Sequence, residues 1–348
     1  MEFRIRDKKI GENHHTFTVA ELSANHLQKF DYAVKLIKAA KEAGADAVKL
    51  QTYTPDTITI DCDNEYFQIR QGTLWDGKTL YQLYKEAYTP WEWQPKLKEI
   101  AENEGLICFF SVFDKTAVDF LEEINAPCYK VASFEITDIS LIEYIASKGK
   151  PIIISTGIAT LSDIEEAINA CKELGNNQIA LLKCTSAYPT PLEEVNLRTI
   201  PNMAETFKTV VGLSDHTLGI SVPIASVALG ACIIEKHLTL RRSFGGPDAA
   251  FSLEPEEFKA MVKAVREAEK AFGEVSYELT EKMKKSREFS HSLFVVKDMK
   301  AGEIFTQENV RSIRPGYGLD PKHLKDVLEK RAMRDIKKGT PLGWNLTE

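Results

Sequence analysis

The chain has 348 residues, of which 43% are hydrophobic and 27% are charged, a composition typical of globular proteins. Its formal net charge of -7 argues against nucleic acid as a partner. No apolar run is long enough to span a bilayer, the first residues lack the apolar segment of a signal peptide, and the cysteines form no Cys-x-x-Cys pair. We therefore expect a cytoplasmic protein that binds neither nucleic acid nor a membrane.

From residue 16 onward, short apolar β-type runs alternate with segments that carry helix signals. The predicted strands are 16–22, 47–53, 107–112, 128–133, 151–157, 179–186, 209–216 and 232–239. The predicted helices include 30–43, one opened by Pro90, one after Asp114, one with a Ser162-x-x-Glu165 capping box, 193–207, 218–230 and Pro255 to Phe272. Eight strand-then-helix units predict an α/β fold, the (β/α)8 TIM barrel. A doubly wound sheet is the alternative, but no Gly-x-Gly-x-x-Gly follows the first strand.

Two of these strands end in a histidine, His216 and His237, with one helix between them. Such a crossover makes the strands parallel, so both imidazoles leave the same end of the sheet. Two imidazoles plus oxygen ligands suit Mn, Fe, Co or Zn better than Ca. The alternative is that both histidines cap the core and form local hydrogen bonds.

The other strand ends carry polar groups, and barrel active sites lie at these ends. They include Glu21, Lys49, Gln51, Ser111, Lys130, Ser133, Glu135, Ser155, Lys183, Ser186, Tyr188, Ser214 and Lys236. Lysines on strands two, four, six and eight, together with hydroxyl groups, predict a pocket for a phosphorylated, carboxylated anion. The alternative is an ion-pair network inside the barrel.

The alternation of strand and helix signals ends after residue 274. We therefore predict a barrel domain over 1–275, a linker over 276–289 and a small β-rich domain over 290–348. The last segment contains an internal repeat, K-D-M-K-A-G-E at 297–303 and R-D-I-K-K-G-T at 334–340. Between the two copies, Arg314 lies in a glycine-rich loop, which argues for contact with an anionic or amide-bearing ligand.

Eight short motifs follow one another in order along the chain. They are A-E-L-S-A-N-H at 20–26, K-L-Q-T-Y-T-P-D at 49–56, Y-K-V-A-S-F-E at 129–135, S-T-G-I-A-T at 155–160, L-K-C-T-S-A-Y-P-T at 182–190, G-L-S-D-H at 212–216, E-K-H at 235–237 and I-R-P-G-Y-G-L at 313–319. In this order they resemble the sialic acid synthase family, and specifically its pseudaminic acid synthase branch. The resemblance implies a barrel followed by a SAF (antifreeze-like) domain, and a domain-swapped homodimer.

The resemblance also implies a reaction, catalysed by a transferase that forms a carbon–carbon bond. Phosphoenolpyruvate condenses with 2,4-diacetamido-2,4,6-trideoxy-β-L-altropyranose, an N-acetylated amino sugar, and with water, giving pseudaminic acid and phosphate. A divalent metal, Mn2+ or Mg2+ with Co2+ possible, is held by His216 and His237. N-acetylneuraminate or legionaminate synthase is the alternative. A metal-dependent pyruvate aldolase and a non-catalytic sugar-binding protein are more remote.

By the same resemblance, Glu21, Glu135, His216 and His237 are catalytic, the two carboxylates placing or deprotonating the water. The groups expected around phosphoenolpyruvate are Lys49, Ser111, Lys130, Ser133, Ser155, Ser186 and Ser214. Those expected to face the sugar are Gln51, Tyr188, Asp248 and, from the partner subunit, Arg314. Many sialic acid synthases have asparagine where Ser186 stands, which favours the pseudaminic branch.

The insertion at residues 72–84 is rich in aromatic residues, namely Trp75, Tyr81 and Tyr84. We expect it to lie over the mouth of the barrel, where an apolar wall would suit the methyl group of a 6-deoxy sugar. The alternative is an aromatic cluster that packs the insertion and never contacts the sugar.

Overall fold

The computed structural model describes residues 1–70 and 72–348, and it divides into two compact units, Met1–Gly273 and Glu274–Glu348. Within the described residues of the first unit, eight parallel strands close into a barrel. This confirms the predicted (β/α)8 fold. The predicted domain boundary at 275 and the linker over 276–289 stay predictions.

A two-stranded antiparallel hairpin, β1 (Glu2–Ile5) and β2 (Lys8–Gly11), precedes the barrel. Its buried Phe3, Ile5 and Ile10 belong to one apolar cluster with residues at the starts of barrel strands, such as Phe17 and Ile233. The hairpin therefore packs against the end of the barrel where the strands begin. The sequence patterns did not predict it.

The barrel strands lie in chain order around the closed sheet, with the last beside the first. They are β3 (Phe17–Glu21), β4 (Ala47–Thr52), β5 (Ile107–Val112), β6 (Tyr129–Val131), β7 (Ile152–Ser155), β8 (Ile179–Cys184), β9 (Val210–Asp215) and β10 (Ile233–His237). Each predicted strand is present, although β9 ends at Asp215, so His216 lies just beyond it.

Alternate residues of each strand belong to different apolar clusters, because side chains alternate between the two faces of a strand. In β5, Cys108 and Phe110 pack under the helices, whereas Ile107 and Phe109 belong to the cluster inside the barrel. By the same alternation, the last inward-facing side chain of each strand lies above that inner cluster. Polar side chains occupy these positions, Ser111 on β5 being one.

The helices of the first unit surround the sheet. They are α1 (Phe30–Glu42), α2 (Pro55–Ile58), α3 (Leu80–Ala87), α4 (Gln94–Asn103), α5 (Lys115–Glu123), α6 (Ile139–Ala146), α7 (Leu161–Glu173), α8 (Thr199–Phe207), α9 (Ser221–Ala228) and α10 (Pro255–Phe272). In α1, Ala33, Ile37 and Ala40 are buried, and their spacing of three or four residues places them on one face. Within the described residues, no helix is both long and apolar enough to cross a membrane.

Three predicted helix starts are wrong in detail. Pro90 precedes a short 3-10 turn, and α4 begins only at Gln94. The helix predicted from residue 193 begins at Thr199. In α7 the cap is Thr160, whose hydroxyl accepts the Asp163 N–H while the Asp163 carboxylate accepts the Thr160 N–H.

The second unit contains α11 (Glu281–Ser286), β11 (Ser292–Val295), β12 (Val310–Ile313) and α12 (Leu324–Val327), and its strands pair antiparallel. The two copies of the repeat lie side by side through a bridge between Met299 and Ile336. Each copy carries an aspartate that pairs with a lysine of the other, at 2.8 Å between Lys300 and Asp335 and 2.9 Å between Lys337 and Asp298.

Candidate active site

A pocket of about 320 Å3 opens where the barrel strands end. The predicted site residues that line it are Lys49, Gln51, Lys130, Ser133, Glu135, Ser155, Tyr188, Ser214, His216, His237 and Asp248. Glu21, Ser111 and Ser186 are not among the lining residues: Glu21 and Ser111 contact Lys49 of the wall, and Ser186 lies beside Gly157. Arg314 belongs to the second unit, so its predicted role stays a prediction.

The floor of the pocket is a buried cluster of charges around Lys49. The Lys49 ammonium lies 2.6 Å from a carboxylate oxygen of Glu21 and 3.6 Å from one of Glu235, and it donates to the Ser111 hydroxyl at 2.8 Å. Burial alone would lower the pKa of Lys49, but the two carboxylates outweigh it and raise the pKa. For Glu21, burial outweighs the ammonium and raises the pKa. The amide of Gln51 donates to the second oxygen of Glu21 at 2.9 Å.

Lys130 is buried beside this cluster, but its hydrogen bonds go to neutral oxygens. It donates to the Ser155 hydroxyl at 2.6 Å and to the Val131 carbonyl at 3.0 Å. Burial lowers its pKa, as expected for an ammonium with only partial compensation. A bound anion would supply the missing charge.

Two further predicted residues, Ser133 and Ser186, meet around Gly157, on the loop after β7. A side chain there would place its Cβ 2.2 Å from the Ser186 hydroxyl and 2.7 Å from that of Ser133. The Gly157 N–H donates to Ser133 at 3.1 Å. The absence of a side chain at Gly157 therefore lets both hydroxyls approach the backbone closely.

The prediction that the lysines of all four even-numbered strands line the pocket is half wrong. Lys183 and Lys236 point outward. Side chains alternate between the two faces of a strand, and these two lysines occupy the positions next to the inward-facing ones, whereas Lys49 and Lys130 occupy inward-facing positions. Lys183 donates to the carbonyl of Cys184 at 2.6 Å. Lys236 pairs with Asp215 on the outer face of the sheet.

His216 and His237 lie side by side, with ring centroids 5.2 Å apart, and Phe251 packs against both. Burial, assisted by the neighbouring His216, holds the pKa of His237 well below its usual value, which favours the neutral imidazole. Within the described part of the chain, Nδ1 of His237 is buried without a hydrogen-bond partner.

A neutral imidazole with an unpartnered nitrogen fits a metal ligand. Among the described residues, no cluster of three or more histidine, cysteine, aspartate or glutamate side chains is arranged for a metal ion. The two imidazoles therefore fit an ion whose remaining ligands come from substrate or water.

Glu135 follows β6 and is nearly buried in the pocket wall. Burial raises its pKa to about 7, and Lys130 only partly opposes this. One of its carboxylate oxygens has no hydrogen-bond partner within the described residues. Asp248 lies on the loop after β10, where it accepts a hydrogen bond from the Ser23 hydroxyl, and burial raises its pKa.

Aromatic side chains cover the outer part of the pocket. Trp75 packs on Tyr188 with ring centroids 5.4 Å apart and donates its indole N–H to the Pro247 carbonyl at 3.0 Å. Tyr84 also lines the pocket, but Tyr81 does not: its hydroxyl donates to Asp56 at 3.1 Å. The predicted aromatic wall is therefore present without Tyr81.

Some lining residues were missed. Glu235 belongs to the E-K-H motif at a strand end but was assigned no role in the site, although it lines the pocket floor. Tyr53, Phe113 and Phe251 also line the pocket. Tyr53 and Phe113 directly follow strands, so the position of barrel active sites at strand ends could have identified them. No comparable signal marks Phe251.

The sequence model of the NeuB family matches residues 36–277, and that of the SAF domain matches residues 291–346. The chain belongs to the NeuB family. Among NeuB relatives, the chain is 49% identical to a pseudaminic acid synthase of Campylobacter jejuni, over 97% of this chain and 96% of the relative. It is 46% identical to a pseudaminic acid synthase of Helicobacter pylori, over 93% of this chain and 95% of the relative.

Its fold is also similar to the crystal structure of an N-acetylneuraminic acid synthetase from Leptospira borgpetersenii in complex with citrate. The TM-score is 0.73 at 31% identity, over 82% of this chain and 95% of that one.

Proposed function

We propose that the chain is a pseudaminic acid synthase, a transferase that condenses phosphoenolpyruvate with 2,4-diacetamido-2,4,6-trideoxy-β-L-altropyranose and water to give pseudaminic acid and phosphate. The observation that carries the proposal is the pocket itself. In a member of the NeuB family, it combines a buried ammonium whose hydrogen bonds within residues 1–70 and 72–348 go to neutral oxygens, two adjacent imidazoles and a carboxyl group with a pKa of about 7. The identity to relatives named pseudaminic acid synthase supports the choice of sugar.

Phosphoenolpyruvate would bind on the floor of the pocket. Lys130 would supply a positive charge to its phosphate or carboxylate, because that ammonium forms its hydrogen bonds with neutral oxygens. The other groups proposed around this substrate are Lys49, Ser111, Ser133, Ser155, Ser186 and Ser214. Lys49 already pairs with Glu21 and lies near Glu235, so it would contribute less net charge than Lys130.

His216 and His237 would hold one divalent ion, Mn2+ or Mg2+ with Co2+ possible, through their imidazole nitrogens. When bound, such an ion supplies a Lewis acid for the aldehyde oxygen of the open-chain sugar. The imidazole of His237 suits this role, because its lowered pKa leaves the nitrogen lone pair free and its Nδ1 lacks a partner in the described residues.

The carbon–carbon bond would form when C3 of phosphoenolpyruvate attacks C1 of the sugar aldehyde, whose C=O π bond opens so that the oxygen takes up a proton and becomes a hydroxyl group. Water adds to the cationic C2, and the tetrahedral carbon then expels phosphate by cleavage of its C–O bond, leaving the 2-keto acid. Glu135 is the better acceptor for the proton of this water, because its pKa is about 7 and one oxygen lacks a partner in the described residues. Glu21 is tied to Lys49 and Gln51, so we assign it the role of stabilising positive charge at C2.

The sugar would lie above this centre, facing Gln51, Tyr188 and Asp248. Arg314 of the partner subunit would contact an N-acetyl group, which requires the domain-swapped homodimer implied by the resemblance. A cytoplasmic location is part of the proposal, and the six free cysteines favour it.

The test is phosphate release from phosphoenolpyruvate with Mn2+, offering three sugars in parallel: the diacetamido L-altrose sugar, its diacetamido mannose analogue and N-acetylmannosamine. We expect turnover with the first sugar and little with the others. Faster turnover with N-acetylmannosamine or the mannose analogue would keep the reaction and refute the choice of sugar. Absence of phosphate release with all three would refute the synthase. Turnover with free pyruvate would then indicate an aldolase, and binding without turnover a sugar-binding protein.

A further inference from the structure

A buried ion pair lies on the outer face of the barrel wall, directly next to the two histidines. Lys236 on β10 and Asp215 on β9 are partners in the strand register, and both point away from the pocket. The residue after each of them is a histidine that lines the pocket, His216 after Asp215 and His237 after Lys236. The mechanism proposed above makes no use of either charge.

Lys236 forms hydrogen bonds with the residue before His216 and with the residue after it. Its ammonium donates to the carboxylate of Asp215, the residue before His216, and to the carbonyl of Thr217, the residue after it. Asp215 in turn accepts the Thr217 N–H at 3.0 Å and the Thr217 hydroxyl at 3.1 Å. The three side chains are almost fully buried, Lys236 completely.

The position of this network matters because backbone pairing between β9 and β10 ends there. The register runs from Ile234 with Leu213 to Lys236 with Asp215, and β9 ends at Asp215. Both histidines lie beyond the last residues that pair β9 with β10, although His237 still pairs with Glu21 of β3. A buried ion pair also contributes little net stability compared with apolar side chains of the same size, which favours a geometric role.

We propose that Lys236 and Asp215 are positioning residues that fix the separation of His216 and His237, and so determine the affinity of this pair for a divalent ion. The inference rests on the proposed function, because it concerns the same histidines. The outer residues that orient metal ligands typically affect metal affinity by about 10–100-fold.

The experiment measures the Mn2+ dissociation constant of the full chain, without substrates, by electron paramagnetic resonance of free Mn2+. Lys236→Met is expected to weaken binding by about 10–100-fold. Asp215→Asn keeps the side-chain volume and one oxygen that can accept the Thr217 N–H, but it removes the charge and the second acceptor, and it is expected to weaken binding several-fold. For both variants, we expect kcat to recover at saturating Mn2+, which a general loss of structure would not allow.

Lys98→Met is the control, because Lys98 is itself buried but pairs with the partly exposed Glu102 within helix α4, away from the histidines. It should lower thermal stability without changing the Mn2+ dissociation constant. Unchanged Mn2+ binding in Asp215→Asn and Lys236→Met would overturn the inference, as would equal weakening in Lys98→Met. If Lys236→Met fails to fold, the result for Asp215→Asn decides. If the unaltered chain binds no Mn2+, the proposed metal site itself is wrong.

Discussion

Glu135 illustrates how a single side chain acquires its chemistry from its surroundings. Its pKa of about 7 results mainly from burial. If it accepts the proton of the attacking water, it must be ionised, so kcat/KM should fall as the pH drops below about 7. Glu135→Gln should lower kcat by about 100- to 10,000-fold and abolish this acid limb. Rates of phosphate release between pH 5 and 9 measure both effects. An acid limb that persists in the variant would assign it to another group.

The same raised pKa has a consequence for stability. In the folded state Glu135 stays protonated up to about pH 7, whereas an unfolded glutamate ionises near pH 4.5. The folded state thus binds more protons between these values, and its free energy of unfolding falls as the pH rises through them. Glu135→Gln removes this loss, so its stability relative to the unaltered chain should increase by about 2–3 kcal/mol from pH 5 to pH 8. Urea unfolding at both pH values measures it, with exposed Glu143→Gln as the control for the substitution.

Lys130 tests the binding of the anionic substrate. Lys130→Met removes a charge-assisted contact, so it should raise the KM for phosphoenolpyruvate by about 10- to 100-fold while changing the KM for the sugar little. Lys183→Met is the matched control, since Lys183 is an outward-facing lysine on a barrel strand and should leave both constants unchanged. Equal effects of the two substitutions would show that charge on the barrel, rather than contact, is responsible.

At the scale of elements, the 72–84 insertion contributes one wall of the pocket through Trp75. Trp75→Ala loses the packing on Tyr188 and the bond to the Pro247 carbonyl. It should raise the KM for the sugar roughly tenfold, about the effect of one aromatic contact, with little change for phosphoenolpyruvate. Tyr81→Phe, in the same insertion but outside the pocket, is the control. An effect on phosphoenolpyruvate alone would contradict the assignment of this wall to the sugar.

The elements themselves show which sequence signals are reliable. The barrel strands were predicted because buried parallel strands are apolar on both faces, which leaves a clear run in the sequence. Helix starts were less accurate, because several residues near an end can act as the cap. Thr160 rather than Ser162 caps α7, since only the former is placed to accept the Asp163 N–H. The hairpin of β1 and β2 was missed because each strand has only four residues, too few for the strict alternation in β1 to stand out as a strand signal.

At the scale of the whole molecule, the domain swap can be tested by mixing two inactive chains. If Arg314 completes the site of the partner subunit, a dimer of one Glu135→Gln chain and one Arg314→Ala chain has one intact site and one doubly altered site. Random mixing in equal amounts should then restore about a quarter of the full activity. Light scattering after size exclusion checks that dimers form. If Arg314 acts within its own chain, mixing should restore no activity.

The order of strand and helix signals along the sequence was enough to predict the barrel, the location of the site at the strand ends and the proximity of His216 to His237. These features follow from strand periodicity and from the geometry of parallel strands. Which lysines face the pocket required the tertiary structure. The strands are apolar on both faces, so the apolar pattern alone does not assign Lys49 to a face, whereas alternation with His237 on the same strand places Lys236 outward. The pKa of Glu135, the contact of Trp75 with Tyr188 and the network around Thr217 likewise depend on burial and on neighbours distant in sequence, which only the closed barrel brings together.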